Sequence, residues 1–398
     1  MATKILIYTN GFAPNVGGVE TYAMLMARDL TGTGLSATLV TPTPADTMND
    51  TDLPFQVVRG AGFAKLAKLI WRADVLHLAG PCFLPLMLGL AFRKPVVVVH
   101  HGYQALCPNG LLLFEPTKAL CPGHFLARRY SKCLQCNART IGWRKSISAL
   151  LLTFPRRWAC RLVAQNVAIT SHVQNRMRLP KSRVIFYGIP DPQKDKSSVA
   201  ERFSPAPIVF AYAGRLVSEK GLGLLVEASS RLKKDGYAFR LKFIGDGPER
   251  AQLESIVDAQ GLREWVAFTG YLRGQDLERA LSDVAALVMP SIWEETAGLS
   301  AIEHMMSSRL VIVTDIGGLG EVVADAGLKY PVGNAAALAS RMKEVLDEPE
   351  LVKSMGQKAR QRALKLYLDE RMITDYLALY QELLGRSGQS SVCEEPCQ

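Results

Sequence analysis

The sequence predicts an α/β protein of two domains, each built on a parallel sheet covered by helices, and three observations carry that expectation. A chain of 398 residues exceeds the roughly 250–300 at which one hydrophobic core stops growing. Short β-branched or apolar runs alternate with longer helix-period segments. Those runs are apolar throughout rather than every second residue, as strands buried on both faces must be.

In the first half the strand-like runs are residues 5–8, 36–40, 75–78 and 96–100; in the second they are 208–212, 241–244, 266–268, 286–288 and 311–314. Most are followed by Gly or Pro and then by a helical pattern. Between the halves, the segment from Gly188 to Ala206 gathers prolines, charges and small residues, which is linker composition. The domains are therefore placed at 1–187 and 207–385, with a linker at 188–206. Helix-forming sequence fills 350–384, a candidate to reach back onto the first domain. The tail 386–398 has too few apolar residues to pack and is expected to be disordered.

With 48% hydrophobic and 21% charged residues the composition is globular and excludes a disordered chain. A net charge of +10 favours polyanionic surroundings: nucleotide phosphates, anionic headgroups or nucleic acid. No basic segment followed by an apolar one opens the chain, so a cytoplasmic location is expected. The weakly charged stretch 75–92 holds His77, Gly80, Pro81 and Pro85 and falls short of the roughly 20 apolar residues of a membrane span.

In open α/β sheets ligands bind beyond the carboxyl ends of strands, where loops enter helices. After the run 208–212 comes Gly214-Arg215, then Lys220-Gly221, two cations beside a helix start that match a pyrophosphate or are solvated surface. After 241–244 comes Gly245-Asp246-Gly247-Pro248, which suits either a phosphate loop or a plain tight turn. The richest segment follows 286–288. If Gly298 and Leu299 open a helix, their free N–H groups face a phosphate, Glu295 lies in the preceding loop and Glu303 just over one turn in. Carboxylates so placed can accept from sugar or ribose hydroxyls; the bland alternative is a capping residue and a surface charge.

Taken together, Gly214-Arg215…Glu219-Lys220-Gly221, Pro290-Ser291, Glu295-x-x-Gly298, Glu303 and Gly317-Gly318-x-x-Glu321 resemble the family 4 retaining glycosyltransferases. The resemblance implies the GT-B fold, two Rossmann-like domains facing each other across a cleft. It implies a sugar moved from a nucleotide-diphosphate-sugar, of UDP or GDP type, to a carbohydrate or lipid-linked acceptor. By the same resemblance Arg215 and Lys220 bind the diphosphate, Glu295 lies against the donor sugar, and Glu303 contacts the ribose. The backbone of Gly298 and Leu299 binds phosphate, and Tyr271-Leu272 occupy the base-contacting stretch. The sequence departs from the family in three places: Ala297 stands where Phe is usual, His304 where Ala is usual, and Tyr187 where the linker usually has Asn. Arg and Lys neutralise the diphosphate, so no cofactor is expected for catalysis. The sole Asp-x-Asp triplet of the first half, Asp50-Thr51-Asp52, follows no strand and reads as surface loop.

In the first half, Gly17-Gly18 before a helix-compatible run resembles the family's Gly-Gly-x-Glu facing the donor, though alone such a pair is often a turn. The run 96–100 ends in His100-His101. His101 matches the family's His near the donor sugar, while His100 is equally consistent with a buried structural role. Glu295 and His101 are thus the catalytic candidates, and no general base is assigned. Cys107, Cys121, Cys133 and Cys136 fall within thirty residues, at intervals that suit either a structural zinc or free thiols. From Leu126 to Arg161 nine Arg and Lys interleave with Trp143, Trp158, Phe154 and 150–152, which suits an anionic membrane surface and, equally, solvated helix faces over a core. On the membrane reading the protein is peripheral on the inner face. Two rival functions share these features: a nucleotide-sugar epimerase of similar fold, and a basic nucleic-acid-binding protein, which has little need of Glu295 and Glu303.

Overall fold

A computed structural model describes residues 2–46, 48–194 and 207–385. Most of the linker and the whole tail 386–398 lie outside the described residues. The first domain holds strands β1 (Lys4–Thr9), β2 (Ser36–Thr41), β3 (Gln56–Arg59), β4 (Val75–Ala79), β5 (Val96–His100), a short pair β6 (Leu113–Phe114) and β7 (Ala119–Leu120), then β8 (Gln165–Ala168) and β9 (Ser182–Val184). The second holds β10 (Ile208–Ala213), β11 (Phe239–Ile244), β12 (Val266–Gly270), β13 (Ala286–Met289), β14 (Leu310–Thr314) and β15 (Leu328–Tyr330).

Both large sheets are parallel. The seven-stranded sheet runs β3-β2-β1-β4-β5-β8-β9 and the six-stranded one β12-β11-β10-β13-β14-β15. Every residue of β4, β5, β13 and β14 is buried, and apart from His77 and His100 these strands are apolar up to their last residue, Thr314 closing β14. In each sheet the strand order reverses once, between β1 and β4 and between β10 and β13. Such switch points leave a crevice at the strand ends where a ligand can enter. Gly17-Gly18 follow β1; Arg215 follows β10 and Glu295 follows β13.

The helix-forming stretch 350–384 is two helices, Glu350–Leu366 and Asp369–Leu383. They break where the chain returns to the first domain: Ile189 N donates to Tyr367 O at 2.9 Å, and Asp369 N to Ile189 O at 3.2 Å. Gly188 is required by that approach, because a Cβ there would sit 2.5 Å from the Leu368 carbonyl oxygen. The helix Asp369–Leu383 then lies against the first domain. Tyr380 and Tyr22 hydroxyls bond the two ring nitrogens of buried His77, at 2.7 and 2.9 Å, and burial pushes that imidazole down to about 3. One hydrophobic cluster consequently runs from β1 through Tyr376 to Met289 and Ile302.

The helix Tyr130–Leu162 is interrupted at Gly142, whose φ of 77° is left-handed and splits it into two segments.

Candidate active site

The loop after β10 is shaped by close backbone approach. A Cβ on Gly245 would lie 2.0 Å from Gly214 O, so the turns after β10 and β11 can touch only as glycines. Tyr212, buried beneath, donates its hydroxyl to Arg215 O at 2.8 Å and leaves the Arg215 guanidinium exposed at the crevice. Lys220 turns inward: its Nζ pairs with Glu295 Oε1 at 2.9 Å and lies 5.9 Å from the Trp293 ring centre. Glu295 is only 4% exposed, and Ser291 also donates to its Oε1.

The helix Leu299–Met306 begins at Gly298, whose φ of 78° suits glycine. Ser300 donates to Ala213 O at 3.3 Å, tying this helix start to the end of β10. No side chain caps it, so its first N–H groups face the crevice. Across it stands the start of the helix Gly18–Gly32: a Cβ on Gly18 would come 3.9 Å from Leu299 Cδ2. The uncapped start of the helix Leu299–Met306 and Lys220 thus lie on one space with exposed Arg215 on the loop after β10, and the helix start across it carries the Glu20 carboxylate beside Gly17. The second-domain side suits an anionic group. Glu303 is accessible on the second turn, yet crowding by surrounding protein pushes its carboxyl up to about 7. Tyr271 and Leu272 follow β12; Tyr271 is half exposed, with the Arg273 guanidinium 4.9 Å from its ring centre.

His101 reaches this space from β5. Thr296 Oγ1 donates to His101 O at 3.0 Å, which sets the imidazole next to the Glu295 loop. Its Nδ1 bonds Tyr187 Oη at 2.5 Å, the rings stack with a 10° interplanar angle, and Nε2 has no protein partner among the described residues. Burial pushes the imidazole down to about 3, so it is neutral. His100, by contrast, points into the core and bonds Asn166 Oδ1 at 2.9 Å. His304 and Ala297, two of the departures from the family pattern, are both buried.

Residues to which the sequence assigns no interdomain role join the domains. Glu321 accepts from Ser171 N and His172 N, at 2.8 and 2.7 Å, capping the helix Ser171–Met177 from the other domain. Thr170 Oγ1 donates to Thr296 O at 2.7 Å, and Glu294 pairs with His172 and Arg176 at 3.0 and 2.8 Å. Glu321 belongs to a motif visible in the sequence; Thr170, His172 and Arg176 carried no such signal.

The four clustered cysteines are buried and unbridged. Burial first, and then the neighbouring thiols of Cys107, Cys121 and Cys136, push the Cys133 thiol up to about 12. The Asn109 amide links two of the thiols, accepting from Cys107 Sγ at 2.9 Å and donating to Cys136 Sγ at 3.6 Å. Among the described residues no three His, Cys, Asp or Glu side chains stand as a metal-ligand set. Asp50 and Asp52 lie in a single helical turn, where Asp50 chelates the Arg59 guanidinium with both contacts at 2.8 Å.

Two parallel-sheet α/β domains meeting at a crevice are the architecture of the GT-B fold. Residues 193–362 match the model of the glycosyl transferases group 1. The alpha-D-kanosaminyltransferase of Streptomyces kanamyceticus is 31% identical over 281 residues, 70% of this chain and 68% of that one. The chain belongs to the group 1 glycosyl transferases. Its fold is similar to that of a glycosyltransferase from Rickettsia africae, with a TM-score of 0.71 at 18% identity over 97% of this chain and 100% of the other. It is also similar to Anabaena HepE solved with UDP, with a TM-score of 0.68 at 14% identity over 96% and 100%.

Proposed function

We propose that this glycosyltransferase moves a sugar from a nucleotide-diphosphate-sugar, of UDP or GDP type, to a carbohydrate or lipid-linked acceptor, with retention at the anomeric carbon. The observation that carries this reading is the junction of Arg215, Lys220 and the uncapped start of the helix Leu299–Met306, with Glu295 held against Lys220. Arg215 and Lys220 take the diphosphate, together with the N–H groups at Gly298 and Leu299. Positive charge and oriented dipoles stabilise the nucleotide as it leaves, without a divalent ion.

Glu295 accepts from donor-sugar hydroxyls, Glu303 from ribose hydroxyls, and Tyr271-Leu272 border the base. Gly17-Gly18 let the first domain close on the phosphates. In the reaction the bond from C1 to the diphosphate oxygen breaks while the acceptor oxygen bonds C1 on the same face. The departing phosphate takes the acceptor proton, and neutral His101 donates or accepts a hydrogen bond at the sugar through Nε2.

A thermal-shift series with UDP-, GDP- and ADP-sugars tests this, because a ligand bound only by the folded state raises its apparent stability. One nucleotide class is expected to raise Tm with the wild type and not with Arg215→Ala. A flat response to all three overturns the donor reading.

A further inference from the structure

We infer that the second segment of the helix Tyr130–Leu162, beyond Gly142, is a docking surface for an anionic lipid membrane. Trp143, Ile147, Leu151, Phe154, Trp158 and Leu162 recur at intervals of three or four, so they share one helix face. In most amphipathic helices such a stripe is the buried one. Here Ser146, Leu150, Thr153 and Cys160 form a neighbouring buried face, while most of the stripe stands in solvent: Trp143 is 59%, Leu151 62% and Trp158 55% exposed, and Phe154 packs partly on Phe125 and Tyr130. Contiguous exposed apolar surface of this kind marks an interaction site.

Charge selects the occupant. Residues 116–190 contain fourteen Lys and Arg and no Asp or Glu, so the net +10 of the whole chain is more than supplied by this segment. Arg144, Lys145 and Arg161 are exposed along the helix itself. A second copy of the chain meeting this face symmetrically would set cations against cations. Nucleic acid would use the cations but leave Ile147, Leu151 and Leu162 without a partner. An anionic bilayer takes both: headgroups meet the guanidinium and ammonium groups, and the Trp and Leu side chains enter the boundary with the acyl chains. Among the described residues no helix is long and apolar enough to cross a membrane, so the segment lies along the surface.

The helix also adjoins the candidate cleft. Arg156 Nη1 donates to Gln104 O, 3.3 Å away, in the loop that begins at His101. A membrane at the stripe would thus lie close to the acceptor side of the site, which favours a lipid-linked acceptor. That last step rests on the proposed glycosyl transfer; the docking itself does not.

Flotation of the full chain tests it with vesicles of phosphatidylcholine alone and of phosphatidylcholine with one-third phosphatidylglycerol. Binding is expected only to the anionic vesicles and to fall with salt. The triple variant Trp143→Ser, Leu151→Ser, Trp158→Ser and, separately, the charge variant Arg144→Gln, Lys145→Gln should each lower the partition coefficient at least roughly tenfold. Both sets are surface substitutions and should leave the donor-induced thermal shift as in the wild type. Absence of binding to anionic vesicles overturns the inference. So does wild-type binding by both variants, or a stripe that proves to be buried in a dimer dissociated by the triple variant, or binding of single-stranded RNA that the charge variant alone abolishes.

Discussion

The two sides of the cleft are held by different means. On the second domain the loops are fixed backbone to backbone: Gly245 against Gly214, and Gly318, where a Cβ would lie 2.0 Å from Thr296 O. On the first domain the reactive candidate is fixed by side chains, with His101 stacked on and bonded to Tyr187. Beyond it come a loop whose Asn109 bonds two free thiols and a helix with an exposed apolar face. The contrast teaches that the donor half has little room for change, since its shape depends on the absence of Cβ atoms. The facing half can be altered residue by residue, and it is there that an acceptor would be selected.

The largest expected effect lies on the donor side. Glu295→Gln removes a carboxylate that is buried, paired with Lys220 and bonded to Ser291. Transfer should fall by about a hundredfold or more, the scale of losing one preorganised group at a reacting centre, and steady-state rates would show it. A variant with near wild-type kcat would shift the catalytic burden across the cleft. Gly318→Ala tests the backbone half of the contrast. The added methyl meets a carbonyl that cannot rotate away, so a loss of about 1–3 kcal/mol is expected, read as a fall in the denaturant midpoint. Unchanged stability would show that this loop can move.

On the facing side the effect should be smaller and of another kind. Tyr187→Phe keeps the stacked ring and deletes the hydroxyl bonded to His101 Nδ1, leaving a buried nitrogen unpaired. A roughly tenfold fall in kcat is expected, on the scale of one buried hydrogen bond, with the donor KM little changed. If KM rises and kcat holds, Tyr187 serves binding rather than the orientation of His101.

How far the sequence disclosed this contrast follows from the same physics. Strands buried on both faces are legible where they are apolar almost throughout, as in β5 and β14; Gln165–Ala168 is equally buried but opens on Gln and Asn, so it carries no apolar run. Arg215, Lys220 and Glu295 can be singled out because glycine turns and paired charges are local features. Gln56–Arg59, Ser182–Val184 and Leu328–Tyr330 give no strand signal: they are edge strands of three or four residues, too short for an apolar run. The interdomain cap from Glu321 onto Ser171 and His172 joins residues 150 positions apart and leaves no local pattern. Likewise, periodicity revealed the face shared by Trp143, Leu151 and Trp158 but not its exposure, which depends on what the fold places over it.

Glu303 offers a pH test on the donor side. Its folded value of about 7 lies above the ordinary 4.5, so its contribution to stability is complete below the ordinary value and is lost as pH rises through about 7. In the proposed donor complex the ionised form is the better acceptor for the ribose hydroxyls. Donor affinity should therefore rise across the window in which stability falls, and Glu303→Gln should flatten both curves. Calorimetric titration a pH unit either side of the folded value checks this; parallel pH curves for wild type and variant would remove Glu303 from the donor site.

The smallest effect is expected at Asp50, and it decides whether the first domain supplies a metal to the reaction. Asp50 resembles half of a metal-binding Asp-x-Asp, yet both its oxygens hold Arg59, which in turn donates to the carbonyls of Ala13, Thr43 and Pro44. The guanidinium keeps the carboxyl below its usual range, so its stabilising contribution is present above the ordinary value of 3.8 and fades as pH falls through the folded one. Asp50→Asn should cost about 1 kcal/mol or less, as a partly exposed pair does, and leave transfer intact with or without a chelator. Loss of transfer in that variant, together with a chelator-sensitive wild type, would move part of the donor chemistry to the first domain and undo the division of labour between the two sides.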